Sequence, residues 1–129
     1  MSLFGTDLLQ IAVERTGTTV RIAATGEIDI STVERLREEI RLQLATSGEI
    51  VLLDLADVTF IDSSGLHAVL EAATQAPQRV RVIPGAAALT LFMISGVADR
   101  LPLVDHHGHE GLRAHPQGNL QTAGPGAGY

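Results

Sequence analysis

Ile50–Ala73, IVLLDLADVTFIDSSGLHAVLEAA, is the stretch on which the reading of this chain turns. It opens with an apolar run, Ile50 to Leu53, rich in branched residues and fenced by polar ones. A run this short suits a buried strand better than a helix. Asp54 and Asp57 mark the expected end of that strand, and a second apolar pair, Phe60-Ile61, leads into Asp62-Ser63-Ser64-Gly65. Beyond Gly65 the spacing becomes helical: Leu66, Val69, Leu70 and Ala73 fall on one face. The order is strand, short polar turn, helix. Asp62 suits the N-cap, where its carboxylate accepts main-chain N–H bonds. Ser63 and Ser64 then occupy the first turn, at the positive end of the helix dipole. A phosphate on either would meet N–H groups of the helix start and add about −1.5 to −2 charge at one point on the surface. The same four residues also make an ordinary helix cap, and their composition leaves both uses open.

Upstream, Leu8 to Arg15 alternates loosely, with Leu9, Ile11 and Val13 on one side. Thr19 to Ala24 alternates again, with Val20 and Ile22 inward, and Thr16-Gly17-Thr18 connects the two. The pattern predicts an antiparallel hairpin. Thr25-Gly26-Glu27-Ile28-Asp29 reads as a loop with two acids. Ser31-Thr32-Val33-Glu34 has the spacing of a capping box, opening a helix to about Ala45 that Ser47-Gly48 ends. Val33, Leu36, Ile40 and Leu44 form its apolar stripe, and its charged residues read as a solvated face.

Downstream, Ala76-Pro77 ends the central helix, because proline lacks the N–H that would continue it. Val80 to Ile83 reads as a short strand and Ala86 to Ser95 as a third helix. Leu89, Phe92 and Met93 are its expected core face, while Leu91 and Ile94 make it apolar nearly all round. Leu101 to Val104 reads as a last strand. Strands alternating with helices predict an α/β domain whose mixed sheet is mainly parallel, with right-handed crossovers and an antiparallel N-terminal β-hairpin. The domain is expected over residues 1–105. Residues 106–129 form a Gly/Pro/His-rich C-terminal tail without a core of its own.

Composition removes several classes of function. The 129 residues suffice for one domain with a real core. With 45% hydrophobic but only 3% aromatic residues, that core is built from Leu, Ile, Val and Ala. No apolar run reaches the roughly 18 residues of a membrane span, and no signal-peptide pattern opens the chain. A net charge of −6, from 9 basic and 15 acidic residues, disfavours direct nucleic-acid binding. Without cysteine there are no disulfides, thiol nucleophiles or Cys-based zinc sites. A cytoplasmic protein is the plain expectation. No phosphate-binding glycine loop and no G-x-S-x-G elbow is present, so no cofactor and no enzymatic activity are expected. His67 lies three residues after Ser64 and reads as an exposed neighbour of the turn. His106, His107, His109 and His115 lack the helical carboxylate–His spacing of a catalytic metal, and no metal site is expected.

The central stretch resembles the signature of STAS domains, and more narrowly that of bacterial anti-sigma factor antagonists (anti-anti-sigma factors). Gly26-Glu27-Ile28-Asp29 and Ile94-Ser95-Gly96-Val97-Ala98-Asp99-Arg100-Leu101 match the flanking signatures in family order, over roughly Leu8 to Asp105. The resemblance implies a single STAS-like domain with its helices mostly on one face of the sheet. It implies phosphorylation of Ser64, with Ser63 as the alternative acceptor, by a partner serine kinase that is also an anti-sigma factor. It places Gly26, Glu27, Asp29, Asp62, Ser63, Gly65 and His67 at the partner surface, in a switch of transcription regulation and stress response. His67 stands where many relatives carry glycine or another small residue, which bears on kinase access. The alternative within the family is a non-phosphorylated structural subunit of a stress-signalling scaffold or a lipid-transport ATPase complex. The short His109–Ala114 segment departs from the family, whose members usually end in a further helix.

Overall fold

The two alternating stretches at the start form β1 (Leu9–Thr16) and β2 (Thr19–Ile28), paired antiparallel about a two-residue turn at Gly17-Thr18. The computed structural model describes residues 8–46 and 48–105. The chain continues through α1 (Val33–Thr46), β3 (Ile50–Ile61), α2 (Ser63–Gln75), β4 (Val80–Ile83), α3 (Gly85–Ile94) and a 3₁₀ turn at Ala98–Arg100. The strands form one sheet in the order β1-β2-β3-β4, with β2, β3 and β4 parallel. Parallel neighbours require a crossover between them, and the intervening α1 and α2 supply it. Ser47 and the His-rich tail of residues 106–129 lie outside the described residues.

One face of the sheet carries the core. Val20, Ile22 and Ala24 of β2 are buried at alternate positions, as are Val51 and Leu53 of β3 and Val80 and Val82 of β4. Val33, Leu36 and Ile40 of α1, Val69 and Ala72 of α2, and Ala88 and Phe92 of α3 join them in a single apolar cluster. The expected stripe of α1 is therefore the one the fold buries. Arg37 does more than face water: its guanidinium lies 3.4 Å from Glu71 and ties α1 to α2.

Several boundaries differ from expectation, each for a local reason. β3 runs through Asp54 and Asp57 to Ile61 as one strand. Its register against β2 shifts twice, between Ala23/Thr25 and between Gly26/Glu27, with an extra residue on β3 each time. Such bulges let a polar residue sit in a strand without ending it. Asp54 is buried, accepts the Ala56 N–H at 3.0 Å beside the first bulge, and accepts Arg21 Nε at 2.8 Å. That hydrogen bond is the main reason Arg21 holds its proton above the usual arginine range. The Gly26–Ile28 segment, read as a loop, completes β2, because β3 pairs with all three residues and β1 with Gly26. Met93, expected in the core, is exposed, because α3 turns Ala88 and Phe92 inward. The Leu101–Val104 stretch makes an isolated bridge, Val82 to Leu103, rather than a strand.

Candidate functional site

The site is built where β2 and β3 end. Asp62 has the extended backbone of an N-cap, φ −110° and ψ −168°. Its Oδ1 accepts the N–H of Ser64 at 2.9 Å and that of Gly65 at 3.3 Å, two of the donors that a helix start leaves unpaired. The same oxygen accepts the Ser64 hydroxyl at 2.6 Å. Ser64 is half-buried and Ser63 is exposed. Neither is sealed inside the fold. The N–H groups that sequence reasoning offered to a phosphate are already held by Asp62, so a phosphate on Ser64 competes with that carboxylate.

Gly65 is buried, beneath the turn rather than on its surface. A Cβ there would fall 2.6 Å from Ile61 Cγ1 and 2.8 Å from Ile28 Cγ2. The glycine therefore lets α2 start directly against the ends of β2 and β3. His67 is exposed one turn on.

The Asp29 turn lies beside this cap. The Asp62 N–H donates to Ile28 O at 3.2 Å, joining segments that are distant in sequence. Asp29 Oδ1 accepts the Ser31 N–H at 2.9 Å, the Ser31 hydroxyl at 2.7 Å and the Thr32 N–H at 3.2 Å. The capping box thus does not form as read: α1 opens at Val33, and the Ser31 hydroxyl turns back to Asp29. Thr32, which sequence reasoning passed over, is the buried organiser. Its Oγ1 accepts the Asp29 N–H at 2.9 Å and donates to Glu27 O at 2.9 Å. The signal available was a threonine three residues after an aspartate, the spacing of an Asx or ST turn.

Donation from the Ser31 hydroxyl, and then from the Ser31 and Thr32 N–H groups, holds the Asp29 carboxyl below the usual aspartate range against its desolvation. A depressed folded-state pKa means that these bonds are present at neutral pH and are lost as pH falls through that depressed value. The amide resonances of Ser31 and Thr32 are expected to titrate together with a midpoint below that of a free aspartate; a midpoint at or above it contradicts the geometry.

Glu27 and Asp29 are half-buried at this edge, Gly26 lies one residue before Glu27, and two apolar side chains accompany them. Ile30 is 78% exposed and Phe60 is 49% exposed. Phe60 lies opposite Glu27 in the β2–β3 register, so the acidic rim around the turn is interleaved with apolar surface. Sequence reasoning read Phe60 only as half of the apolar pair leading into the turn and overlooked Ile30. Among the described residues no cluster of His, Asp or Glu has the makings of a metal site, and no helix is long and apolar enough to cross a membrane.

Comparison with known proteins bears on the family and the fold. The STAS domain model matches residues 10–103. The fold is similar to that of an anti-sigma factor antagonist from Mycobacterium paratuberculosis, with 25% identity and a TM-score of 0.69, over 78% of this chain and 89% of that one. It is also similar to the anti-sigma factor antagonist SpoIIAA in its unphosphorylated form, with 23% identity and a TM-score of 0.60, over 76% and 90% of the two chains. The Bacillus cell fate determinant SpoIIAA in the phosphorylated form aligns at 24% identity and a TM-score of 0.56, over 76% and 94%. At these identities the two SpoIIAA structures speak for the fold alone. Among curated protein sequences, none matches this chain.

Proposed function

We propose that this chain, which belongs to the STAS domain family, is an anti-sigma factor antagonist switched off by phosphorylation of Ser64. It is a binding module rather than an enzyme and works in the cytoplasm. Unphosphorylated, it docks the Asp62–Gly65 turn, the outer side of α2 with His67, and the Gly26–Asp29 edge against an anti-sigma factor serine kinase, and so releases a sigma factor. The observation that carries this reading is the juxtaposition of the Ser64 hydroxyl, bonded to Asp62 at 2.6 Å, with the Asp29 turn, bonded to Asp62 through Ile28 O. Phosphorylation replaces a hydroxyl donor with a dianion. The Asp62–Ser64 bond is lost, and like charge accumulates beside Asp62 and Asp29 in the docking surface.

Phosphopeptide mass spectrometry on the protein from its native cells tests the assignment. Phosphate is expected on Ser64 and is expected to vanish in Ser64→Ala while Ser63→Ala retains it. Full phosphate uptake by Ser64→Ala moves the switch to Ser63 and overturns the assignment. A second reading, a non-phosphorylated structural subunit of a stress-signalling scaffold or a lipid-transport ATPase complex, is favoured by Met93 and Ile94, which stand 52% and 78% exposed at the end of α3. It gains if the protein is free of phosphate under every growth condition and co-purifies with a transport ATPase.

A further inference from the structure

The two edges of the sheet differ. Beside β4, Pro102 O accepts the Val82 N–H and Val82 O accepts the Val104 N–H, so that edge is covered. β1 is the other edge and, among the described residues, no strand pairs with its outer side. Thr16 faces Thr19 across the two-residue turn, so Thr16, Glu14, Ala12 and Gln10 exchange main-chain bonds with β2. Leu9, Ile11, Val13 and Arg15 direct theirs outward. At one end Arg35 Nη1 already donates to Leu9 O, at 2.6 Å. Ile11, Val13 and Arg15 remain as the open row, and Val13 is 42% exposed.

Edge strands are ordinarily protected by charge. Here the two charged residues of β1 are neutralised within the chain: Arg15 pairs with Glu49, and Glu14 accepts Arg21 Nη1 at 2.8 Å. Behind the edge, an open groove of about 690 Å³ runs between β1 and α1. Its apolar floor is Ile11, Leu42 and Ala45, with Leu42 52% exposed. Its rim carries Arg35 and Arg41 with Glu38 and Glu39, two bases and two acids.

We propose that β1 is the interface of a twofold dimer, in which it pairs antiparallel with β1 of a second copy about Ala12 and joins two four-stranded sheets into one. Centring on Ala12 sets Ile11 of each copy opposite Val13 of the other, on the side that carries the groove. The outward N–H and C=O groups of these residues then bond reciprocally. A twofold axis makes every contact occur twice with roles exchanged, so a rim of equal acid and base meets its own complement: Glu38 and Glu39 approach Arg35 and Arg41 of the other copy. A foreign partner of single-sign charge would not fit that rim. Leu42 and Ala45 lose water when the second α1 closes the groove. Leu9 O stays with Arg35, which ends the ladder. The two Ser64 turns, at the C-terminal ends of oppositely running strands, point in opposite directions, so the dimer leaves both free.

Sedimentation equilibrium of the full chain, from about 1 μM to about 1 mM, tests this over the range expected of a modest interface. Association to twice the chain mass is expected. Val13→Lys sets a charge beside the axis in each copy and is expected to weaken association at least tenfold. Val13→Pro removes an N–H that β2 does not use and is expected to do the same. In the unaltered protein, exchange of the Ile11 and Val13 amides is expected to slow as concentration rises, a readout needing no variant. A chain monomeric throughout overturns the proposal, as does a dimer that both variants leave intact or one in which those amides exchange at a concentration-independent rate.

Discussion

Ser64→Asp is expected to bind the anti-sigma kinase at least a hundredfold more weakly than the unaltered chain, a penalty of about 3 kcal/mol. The residue's present environment sets the sign. Its hydroxyl donates to Asp62 Oδ1 at 2.6 Å, and the same oxygen holds the N–H groups of Ser64 and Gly65. An aspartate cannot donate, so it opposes the Asp62 carboxylate at close range and competes with it for the N–H groups. In solvent the helix N-terminus tolerates that charge, because its dipole favours an anion there by about 0.3–1 kcal/mol. Beneath a partner, water no longer screens it, and desolvating an unpaired anion costs several kcal/mol. The effect therefore belongs to binding and not to folding. Titration calorimetry with the captured kinase, beside a thermal melt of the variant, separates the two. Equal affinities for Ser64→Asp and the unaltered chain would sink the electrostatic account, and a large drop in melting temperature would relocate the effect to the fold.

The second large effect concerns stability. Gly26 has φ +109°, and a Cβ on it would stand 2.1 Å from Leu8 O and 3.1 Å from Leu8 C. Those atoms are main chain immediately before β1, one residue from Leu9, which faces Gly26 in the hairpin register, and cannot swing aside. Gly26→Ala therefore adds backbone strain of about 1–3 kcal/mol to a clash that must prise β1 from β2. We expect a loss of about 4 kcal/mol in all, which for a domain of this size lowers the melting temperature by roughly 15 °C or more. Gly17→Ala is the control: φ is +60° but, among the described residues, no atom beyond its chain neighbours lies within 4 Å of an added Cβ. It should cost only the conformational term, about 1 kcal/mol. Equal melting temperatures for the two variants, followed by circular dichroism, would show the close approach to Leu8 to be inconsequential. Gly26 thus owes its place in the motif to the hairpin, whatever it also contributes at the partner surface.

Much of the architecture was readable because it rests on local periodicity. Val33, Leu36 and Ile40 repeat at helical spacing and all three are buried. Val20 and Ile22 alternate and both face the core. The cap at Asp62 was readable for the same reason, since an N-cap bonds to residues only two and three positions ahead. Reading failed where a residue's state depends on distant neighbours. Asp54 looked like a strand terminator, but Arg21, 33 positions away, satisfies its carboxylate inside the sheet. Glu27 looked like loop, but pairing with β3 makes it strand. Met93 looked like core on a helix apolar all round, where periodicity carries no direction, and only the packing of Phe92 chose the buried face.

Alone, the amino-acid order determined the three helices and the central part of each of the four strands, the cap that presents a serine hydroxyl, and the membership implied by three motifs in sequence. These follow from hydrogen bonds and side-chain spacings that close within a few residues. Tertiary structure alone decided that the Asp29 turn lies against the Asp62 cap, that Gly65 is buried under the turn it belongs to, and that β1 leaves an edge open. Each is a meeting of groups far apart along the chain, and such meetings are fixed by which surfaces exclude water together rather than by any local pattern.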